Sequence, residues 1–254
     1  MQTDNTFTER DLRRRVGEVI GRYGMLGDGD RVLVAISGGK DSLVMLDVLL
    51  RLQRRAPVRY ELVPFTLDPG FPGFDTDAVR QQVARLGAEL VVEPAPIAGI
   101  LESKRANAPT FCPLCSRLRR GHLYAAAPRH RCNKIALGHH ADDLIENLLL
   151  NLFFTGQLAG MPPVLRSDDG RNTVIRPLCH VYEREVARYF AGLGLAAVPS
   201  ACPEKNLQRL RRQWVKELLT DLERHVPRIR NSALAAMANV RERFLMDPRF
   251  LDRF

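Results

Sequence analysis

Arg31-Val32-Leu33-Val34-Ala35-Ile36-Ser37-Gly38-Gly39-Lys40-Asp41-Ser42-Leu43-Val44-Met45-Leu46 is the stretch that decides the fold. After Arg31 comes a short, continuous apolar run, the pattern of a strand buried on both faces. From Ser42 to Arg55 the apolar residues recur at helical spacing. Between the two, glycines let backbone N–H groups approach an anion, the start of a helix adds its dipole, and Lys40 offers a point charge. Strand, Gly-rich turn and helix in that order make a phosphate cradle. A Walker loop is excluded, because its first glycine would fall at Val34 and its Ser or Thr at Asp41. The dinucleotide fingerprint fails as well.

Working outward, a basic helix is expected over Leu12 to Tyr23, with Val16, Val19 and Ile20 as its apolar stripe and Gly24 as its end. Downstream the strand-then-helix alternation repeats. Tyr60 to Leu67 precedes Asp75 to Leu86, Ala88 to Val92 precedes a long loop, and Lys134 to Leu137 precedes a helix from Ala141 to Phe153. Such alternation predicts an α/β fold, a doubly wound parallel sheet with helices on both faces. Residues 93–113, with Pro94, Pro96 and Pro109, read as a loop too long to be a mere connector. Thr155 to Arg171 is irregular, Thr173 to Arg176 is a short strand, and the remainder is a helical C-terminal part: Glu183 to Leu193, Asn206 to Glu223, and Pro227 to about Phe244. The expected organisation is a basic helix over 1–24, a nucleotide-binding domain over 25–200 carrying a CxxC insertion, and a helical region over 201–254 packed on that same domain.

The 254 residues carry a formal charge of +9, from 38 Lys and Arg against 29 Asp and Glu. Such a balance favours a polyanionic partner, since clustered cations release counterions when they neutralise phosphates. The cations concentrate at Arg13-Arg14-Arg15, at Arg117 with Arg119-Arg120, at Arg209 with Arg211-Arg212, and at Arg228 with Arg230. Phe111 and Trp214 are candidates for stacking on bases but read first as core residues. No apolar stretch approaches the roughly 20 residues that span a bilayer, and the N-terminal stretch with Asp4, Glu9 and Asp11 lacks a signal peptide's apolar centre. A cytoplasmic protein without membrane contact is expected, and a homodimer is compatible with it.

After the fourth apolar strand comes Gly138-His139-His140-Ala141-Asp142-Asp143-Leu144-Ile145-Glu146, where open parallel sheets place their ligand sites. On a helix, His139, Asp142, Asp143 and Glu146 are three and four residues apart and share a face. Hard carboxylate oxygens suit Mg²⁺ carrying ATP phosphates; helix capping by Asp142 and Asp143 is the plainer alternative. His140 reads as a ligand or a cap.

The five cysteines are odd in number and belong to no secretory pattern. Cys112-Pro113-Leu114-Cys115 is a CxxC, with Cys202 far downstream. Zinc binding, dithiol exchange and iron–sulfur ligation all remain open on spacing alone. Cys132 and Cys179 read as small buried hydrophobes.

Ser37, Gly38, Gly39, Asp41 and Ser42 match SGGxDS, the signature of the PP-loop ATP pyrophosphatases, which this chain resembles. The resemblance implies the PP-loop type of sheet and a reaction in which ATP is cut between its α and β phosphates, AMP passing to a carbonyl-type oxygen. Gly138-His139-His140-Ala141-Asp142-Asp143 matches the GHxxDD segment of the tRNA-modifying members. Over roughly residues 10–245 the chain is similar to the tRNA 2-thiocytidine synthetases (TtcA-type), through Cys112 to Gly121, Asn147 to Pro163, Ile175-Arg176-Pro177-Leu178 and Asn206-Leu207-Gln208-Arg209. That family often has two cysteines where this chain has Ser200 and Cys202.

The resemblance implies ATP-dependent thiolation of a tRNA cytidine at C2, position 32 in the family, through a [4Fe-4S] cluster held by Cys112, Cys115 and Cys202. It further implies catalytic roles for Lys40, Asp41, Asp142, Asp143 and Glu146, with Mg²⁺. Nucleotide contacts fall to Ser37 through Ser42, Leu67, Gly138 and His139. The partners expected are tRNA and a sulfur donor, either sulfide or a cysteine desulfurase. Alternatives are an adenylating PP-loop enzyme with another acceptor or nucleophile, and a non-catalytic iron–sulfur RNA-binding protein.

Overall fold

The computed structural model describes residues 8–104, 112–199, 201–202 and 209–251. The run after Arg31 is β1 (Asp30–Ala35), whose Val32, Leu33 and Val34 are fully buried. A strand so uniformly apolar needs cover on both faces and a partner on each edge. Five more strands follow: β2 (Tyr60–Asp68), β3 (Val91–Pro94), β4 (Lys134–Ala136), β5 (Val164–Arg166) and β6 (Thr173–Ile175). They lie in the order β3-β2-β1-β4-β6-β5. Leu33 stands opposite Val63 on one side and Ile135 on the other, and every pairing is parallel except that of β5 with β6. The doubly wound sheet expected from the sequence is therefore observed, with one antiparallel edge strand.

The helices are α1 (Glu9–Arg22), α2 (Lys40–Gln53), α3 (Thr76–Arg85), α4 (Ile97–Ser103), α5 (Cys112–Arg129), α6 (Ala141–Thr155), α7 (Glu183–Gly192), α8 (Arg209–His225), α9 (Ile229–Ala236) and α10 (Pro248–Leu251). Local chemistry starts several of them. Thr8 and Asp11 form a capping box on α1, the Asp11 amide donating to Thr8 Oγ1 at 3.2 Å and the Thr8 amide to Asp11 Oδ2 at 2.9 Å. Asp75 caps α3 by accepting from the Ala78 amide at 2.8 Å. α2 is buried from Ser42 to Leu49, and its one buried acid, Asp47, accepts from Tyr189 of α7 at 2.6 Å and from Arg51 at 2.7 Å.

The chain divides into two compact units. The first takes in the described residues of Met1–Ala141 and Pro162–Leu210, and so holds the sheet. The second takes in Asp142–Met161 and the described residues of Arg211–Phe254, and so holds most of α6 with the late helices.

Three local features depart from the sequence expectations. Residues 93–113 contain the end of β3, helix α4 and the start of α5, so the CxxC lies in a helical first turn. The irregular stretch 155–171 includes β5, which pairs Leu165 with Val174. The helix expected to run to Phe244 ends at Ala236, followed by a 3-10 turn at Glu242–Phe244. Phe111, Ser200 and the expected helix start at Asn206 lie outside the described residues. No helix among the described residues is long and apolar enough to cross a membrane.

Candidate functional site

In the first unit, the strand order reverses at β1: β2 follows it on one edge and β4 on the other. The crevice outside the carboxyl ends of β1 and β4 is where such sheets bind ligands. The two segments that leave those ends are Ser37–Ser42 and Gly138–His140. They meet. A Cβ built on Gly138 would stand 3.1 Å from the Ser42 amide nitrogen and 3.2 Å from the Asp41 carbonyl, so only glycine lets the second segment lie against the first.

The loop itself is closed by short bonds. The Ser37 amide donates to Ser42 Oγ at 3.2 Å, Ser42 Oγ donates to the Gly39 carbonyl at 2.9 Å, and the Gly39 amide donates to Ser37 Oγ at 3.3 Å. Gly38 sits at φ +80°, in the left-handed region, and a Cβ there would press to 3.0 Å on both Val79 and Val198. The Val198 amide donates to the Gly38 carbonyl at 3.0 Å, fixing the loop from behind. Gly39 caps α2 without any side-chain hydrogen bond, so no side chain of the cap competes with an anion for the first amides.

Lys40 Nζ lies 3.1 Å from Asp41 Oδ1 and 3.1 Å from Glu183 Oε1. Burial works against the charge on Lys40, but Asp41 and then Glu183 outweigh it and hold the ammonium above the ordinary lysine pKa. Asp41 Oδ1 is buried, and its neighbours are the Lys40 ammonium at 3.1 Å and the buried His140 at 4.0 Å. A buried carboxylate oxygen beside a phosphate cradle holds the Lys40 ammonium in place there. His139 is half-buried. Leu67, the expected adenosine contact, is partly buried and packs on two apolar clusters, one around Phe65 and Ile135 and one around Phe71 and Ile97. Glu183 carried no local signal in the sequence; its pairing with Lys40 joins residues 143 positions apart.

Cys112 and Cys115, one turn apart at the start of α5, are buried and half-buried respectively. Cys115 and Ala201 pack on the same apolar cluster, formed by Phe71, Ala95, Ile97 and Leu101, and half-buried Cys202 is the next residue in the chain. The fold thus brings the downstream segment to the CxxC. Thiolates at a helix start within an apolar shell suit an iron–sulfur cluster. Among the described residues no three His, Cys, Asp or Glu side chains are gathered as ligands of one ion; a four-iron cluster binds each cysteine through a different iron and does not require that. Cys132 and Cys179 are buried as expected, and burial pushes the Cys179 thiol up to about 12.

In the second unit, α6 presents Asp142, Asp143 and Glu146 on one face, together with cations from the late helices. Arg230 donates to Asp142 Oδ1 at 2.8 Å and to Glu223 at 3.0 Å. Arg212 lies 3.5 Å from Asp143, and Lys216 lies 3.7 Å from Glu146. Glu146 is only 1% exposed, and its Oε2 accepts no hydrogen bond among the described residues. Burial raises its pKa, against the pull of Lys216 and Arg212 and with the help of Asp143 and Asp142. Arg212 and Arg230, expected on a polyanion surface, therefore serve first as partners of the α6 acids. Trp214 corrects a second expectation: it is 47% exposed rather than core, edge-on to Phe153 and Phe154, with Arg211 stacked 4.8 Å over Phe154.

A family model described as a PP-loop domain matches residues 8–221. A tRNA-cytidine(32) 2-sulfurtransferase of Syntrophotalea carbinolica is 43% identical over 243 residues, covering 96% of this chain and 94% of its own. One of Geotalea daltonii is 44% identical over 241 residues, covering 94% of each. Among solved structures, the U34-tRNA thiolase NcsA from Methanococcus maripaludis with its [4Fe-4S] cluster superposes with a TM-score of 0.70 at 22% identity, over 96% of this chain and 79% of that one. The NMN synthetase of Francisella tularensis shares the fold more distantly, with a TM-score of 0.53 at 14% identity, over 85% of this chain and 87% of that one.

Proposed function

The chain belongs to the PP-loop family and, within it, to the tRNA-cytidine(32) 2-sulfurtransferases, and on that premise we propose how its residues carry out ATP-dependent tRNA thiolation. The cytidine C2 oxygen attacks the α-phosphorus of ATP, the bond from that phosphorus to the bridging oxygen breaks, and pyrophosphate leaves. Sulfur then bonds to C2, and the C2–O bond breaks with AMP as leaving group.

The amides and hydroxyls of Ser37 through Ser42 hold the departing pyrophosphate, and Lys40, kept charged by Asp41 and Glu183, neutralises it. Asp142, Asp143 and Glu146, the last with a buried oxygen that accepts no hydrogen bond among the described residues, are the oxygen ligands for Mg²⁺, which when bound spreads the phosphate charge, while Asp41 keeps Lys40 charged and in place. Leu67 packs against the adenosine; Gly138 and His139 line the nucleotide site. Cys112, Cys115 and Cys202 hold the [4Fe-4S] cluster, which when bound delivers the sulfur. Sulfide or a cysteine desulfurase supplies that sulfur, and the enzyme works in the cytoplasm, in a form compatible with a homodimer.

The observation that supports this reading most is the contact of Gly138 with the Ser37–Ser42 loop at the point where the sheet reverses. The test is anaerobically prepared protein with tRNA, ATP, Mg²⁺ and sulfide, followed for pyrophosphate and for thiolated cytidine. Both products are expected. No tRNA-dependent pyrophosphate release would overturn the adenylation step; pyrophosphate without thiocytidine would overturn the sulfur assignment.

A further inference from the structure

Two copies of the string R-x-x-R-R occur in the chain, Arg10-Asp11-Leu12-Arg13-Arg14 and Arg51-Leu52-Gln53-Arg54-Arg55. They are 41 positions apart, counting from Arg10 to Arg51. The fold of the first unit places them side by side: all six arginines line one open groove of about 560 Å³ whose other lining residue is Leu52. The spacing explains the convergence. Residues at i, i+3 and i+4 share a helix face, so the first string turns its three arginines one way from α1, and the second meets it from Arg51 in the last turn of α2 and from Arg54 and Arg55 just after that helix ends. The helices approach closely beneath them, since a Cβ on Gly17 would stand in ordinary contact with Leu52 at 3.5 Å.

Three of the six are neutralised in place: Arg13 by Glu9 at 3.4 Å, Arg14 by Glu18 at 2.6 Å and Arg51 by Asp47 at 2.7 Å. Arg10, Arg54 and Arg55 have no ion-pair partner among the described residues and are exposed. Like charges gathered on one face repel, and an anion relieves that repulsion. Guanidinium forks fit phosphate oxygens in pairs. The groove is open, with five of its arginines exposed, and offers no buried polar anchor of the kind that holds a small phosphate. A continuous backbone of phosphodiesters suits it better.

We propose that Arg10, Arg54 and Arg55, flanked by Arg13, Arg14 and Arg51, form a second contact surface for the tRNA substrate, gripping its phosphate backbone away from the reacting nucleotide. The proposal rests on the tRNA-thiolation reading. The groove lies at the opposite end of α2 from Lys40, and 14 helical residues at about 1.5 Å each separate the two by about 20 Å. One nucleotide cannot reach both sites. The groove therefore binds a part of the RNA beyond the modified loop and contributes affinity without touching the chemistry.

The experiment uses the full chain, an unmodified tRNA transcript and the triple variant Arg10→Gln/Arg54→Gln/Arg55→Gln, with binding measured across a series of salt concentrations. A second variant, Arg59→Gln/Arg166→Gln/Arg171→Gln, removes the same charge elsewhere on the first unit. The first variant is expected to bind tRNA about tenfold or more weakly and to lower the salt slope by about three, one for each phosphate that is no longer neutralised. Pyrophosphate release at saturating tRNA should stay at the parental rate, and the corresponding lysine triple should recover most of the affinity. Equal losses in the two variants would reduce the effect to net charge and overturn the proposal, as would an unchanged salt slope in the first. So would displacement of tRNA from the parent, but not from the triple variant, by inorganic phosphate or pyrophosphate at micromolar concentration, which would mark a small-anion site. Failure of the parent chain to bind tRNA would instead sink the thiolation reading itself.

Discussion

Gly138, at the end of one central strand, lies against the backbone of Ser42 in the loop that follows the other: the space where its Cβ would sit is 3.1 Å from the Ser42 amide nitrogen. The neighbour is backbone in a closed loop and cannot swing aside. Gly138→Ala is expected to displace the loop, lowering tRNA-dependent pyrophosphate release at least tenfold while costing about 1–3 kcal/mol of stability, the range for overpacking. Steady-state rates and a denaturant titration check it. A variant with parental rates would mean that the loop does not need this contact.

Lys40 is held between Asp41 and Glu183. Lys40→Ala should lower the rate constant for pyrophosphate release by about 10²–10³, the effect of removing one preorganised charge from a developing anion. Because its folded pKa lies above the ordinary value, the stabilisation it gives is fully present below the unfolded lysine pKa and disappears as pH rises through the folded one. The ammonium is thus charged throughout the neutral range. The pH–rate profile of the parent should show no loss on the alkaline side that is absent from Lys40→Arg.

Glu146 titrates the other way. Burial raises its folded pKa above 4.5, so between the unfolded and folded values the native state holds more protons than the unfolded chain, and stability falls as pH rises through that window. Glu146→Gln removes this loss. Its melting temperature should exceed that of the parent at pH 7 and match it near pH 4, while thiolation is abolished. A lower melting temperature at pH 7 would show that the ion contacts of Lys216 and Arg212 outweigh burial.

Cys112→Ala, Cys115→Ala and Cys202→Ala should each lose iron and acid-labile sulfide after anaerobic reconstitution, whereas Cys179→Ala should keep both. Cys179 is fully buried, and its loss should show as about 1 kcal/mol in denaturation rather than in iron content. Full iron in Cys202→Ala would remove that residue from the ligand set.

Arg230 bridges Asp142 and Glu223. With only 16% of its side chain exposed, Arg230→Ala takes one donor from each of two carboxylates and should cost about 2 kcal/mol or more. A double-mutant cycle with Asp142→Asn should return a coupling of about 1 kcal/mol or more; additivity would mean the pair contributes nothing net.

The parts of the site that are legible in the sequence are those whose physics is local. Val32 to Val34 read as a buried strand, Ser37 to Ser42 as the tight turn between that strand and a helix, and the offsets of Asp142, Asp143 and Glu146 put them on one face. What stays hidden depends on contacts between distant residues: Glu183 on Lys40, Val198 behind Gly38, and the meeting of two arginine strings on α1 and α2. Short elements escape for a different reason. The 7 residues of α4 and the 3 of β5 are too few for a periodic pattern to stand out between prolines and glycines. Trp214 reads as core because an aromatic residue in an amphipathic helix is usually buried, and nothing in the string of letters says which face stays uncovered.

The bond from the Val198 amide to the Gly38 carbonyl turns the next few residues into a ruler. Cys202 is only four positions further along the chain, a reach of at most about 14 Å when fully extended. The backbone itself sets the greatest distance between the loop proposed to hold the nucleotide and the thiol proposed to hold the cluster, whatever the side chains around them do. A leash of fixed length of this kind tolerates substitution far better than insertion, so a single added residue after Pro199 would lengthen the gap between two half-reactions that depend on being near each other.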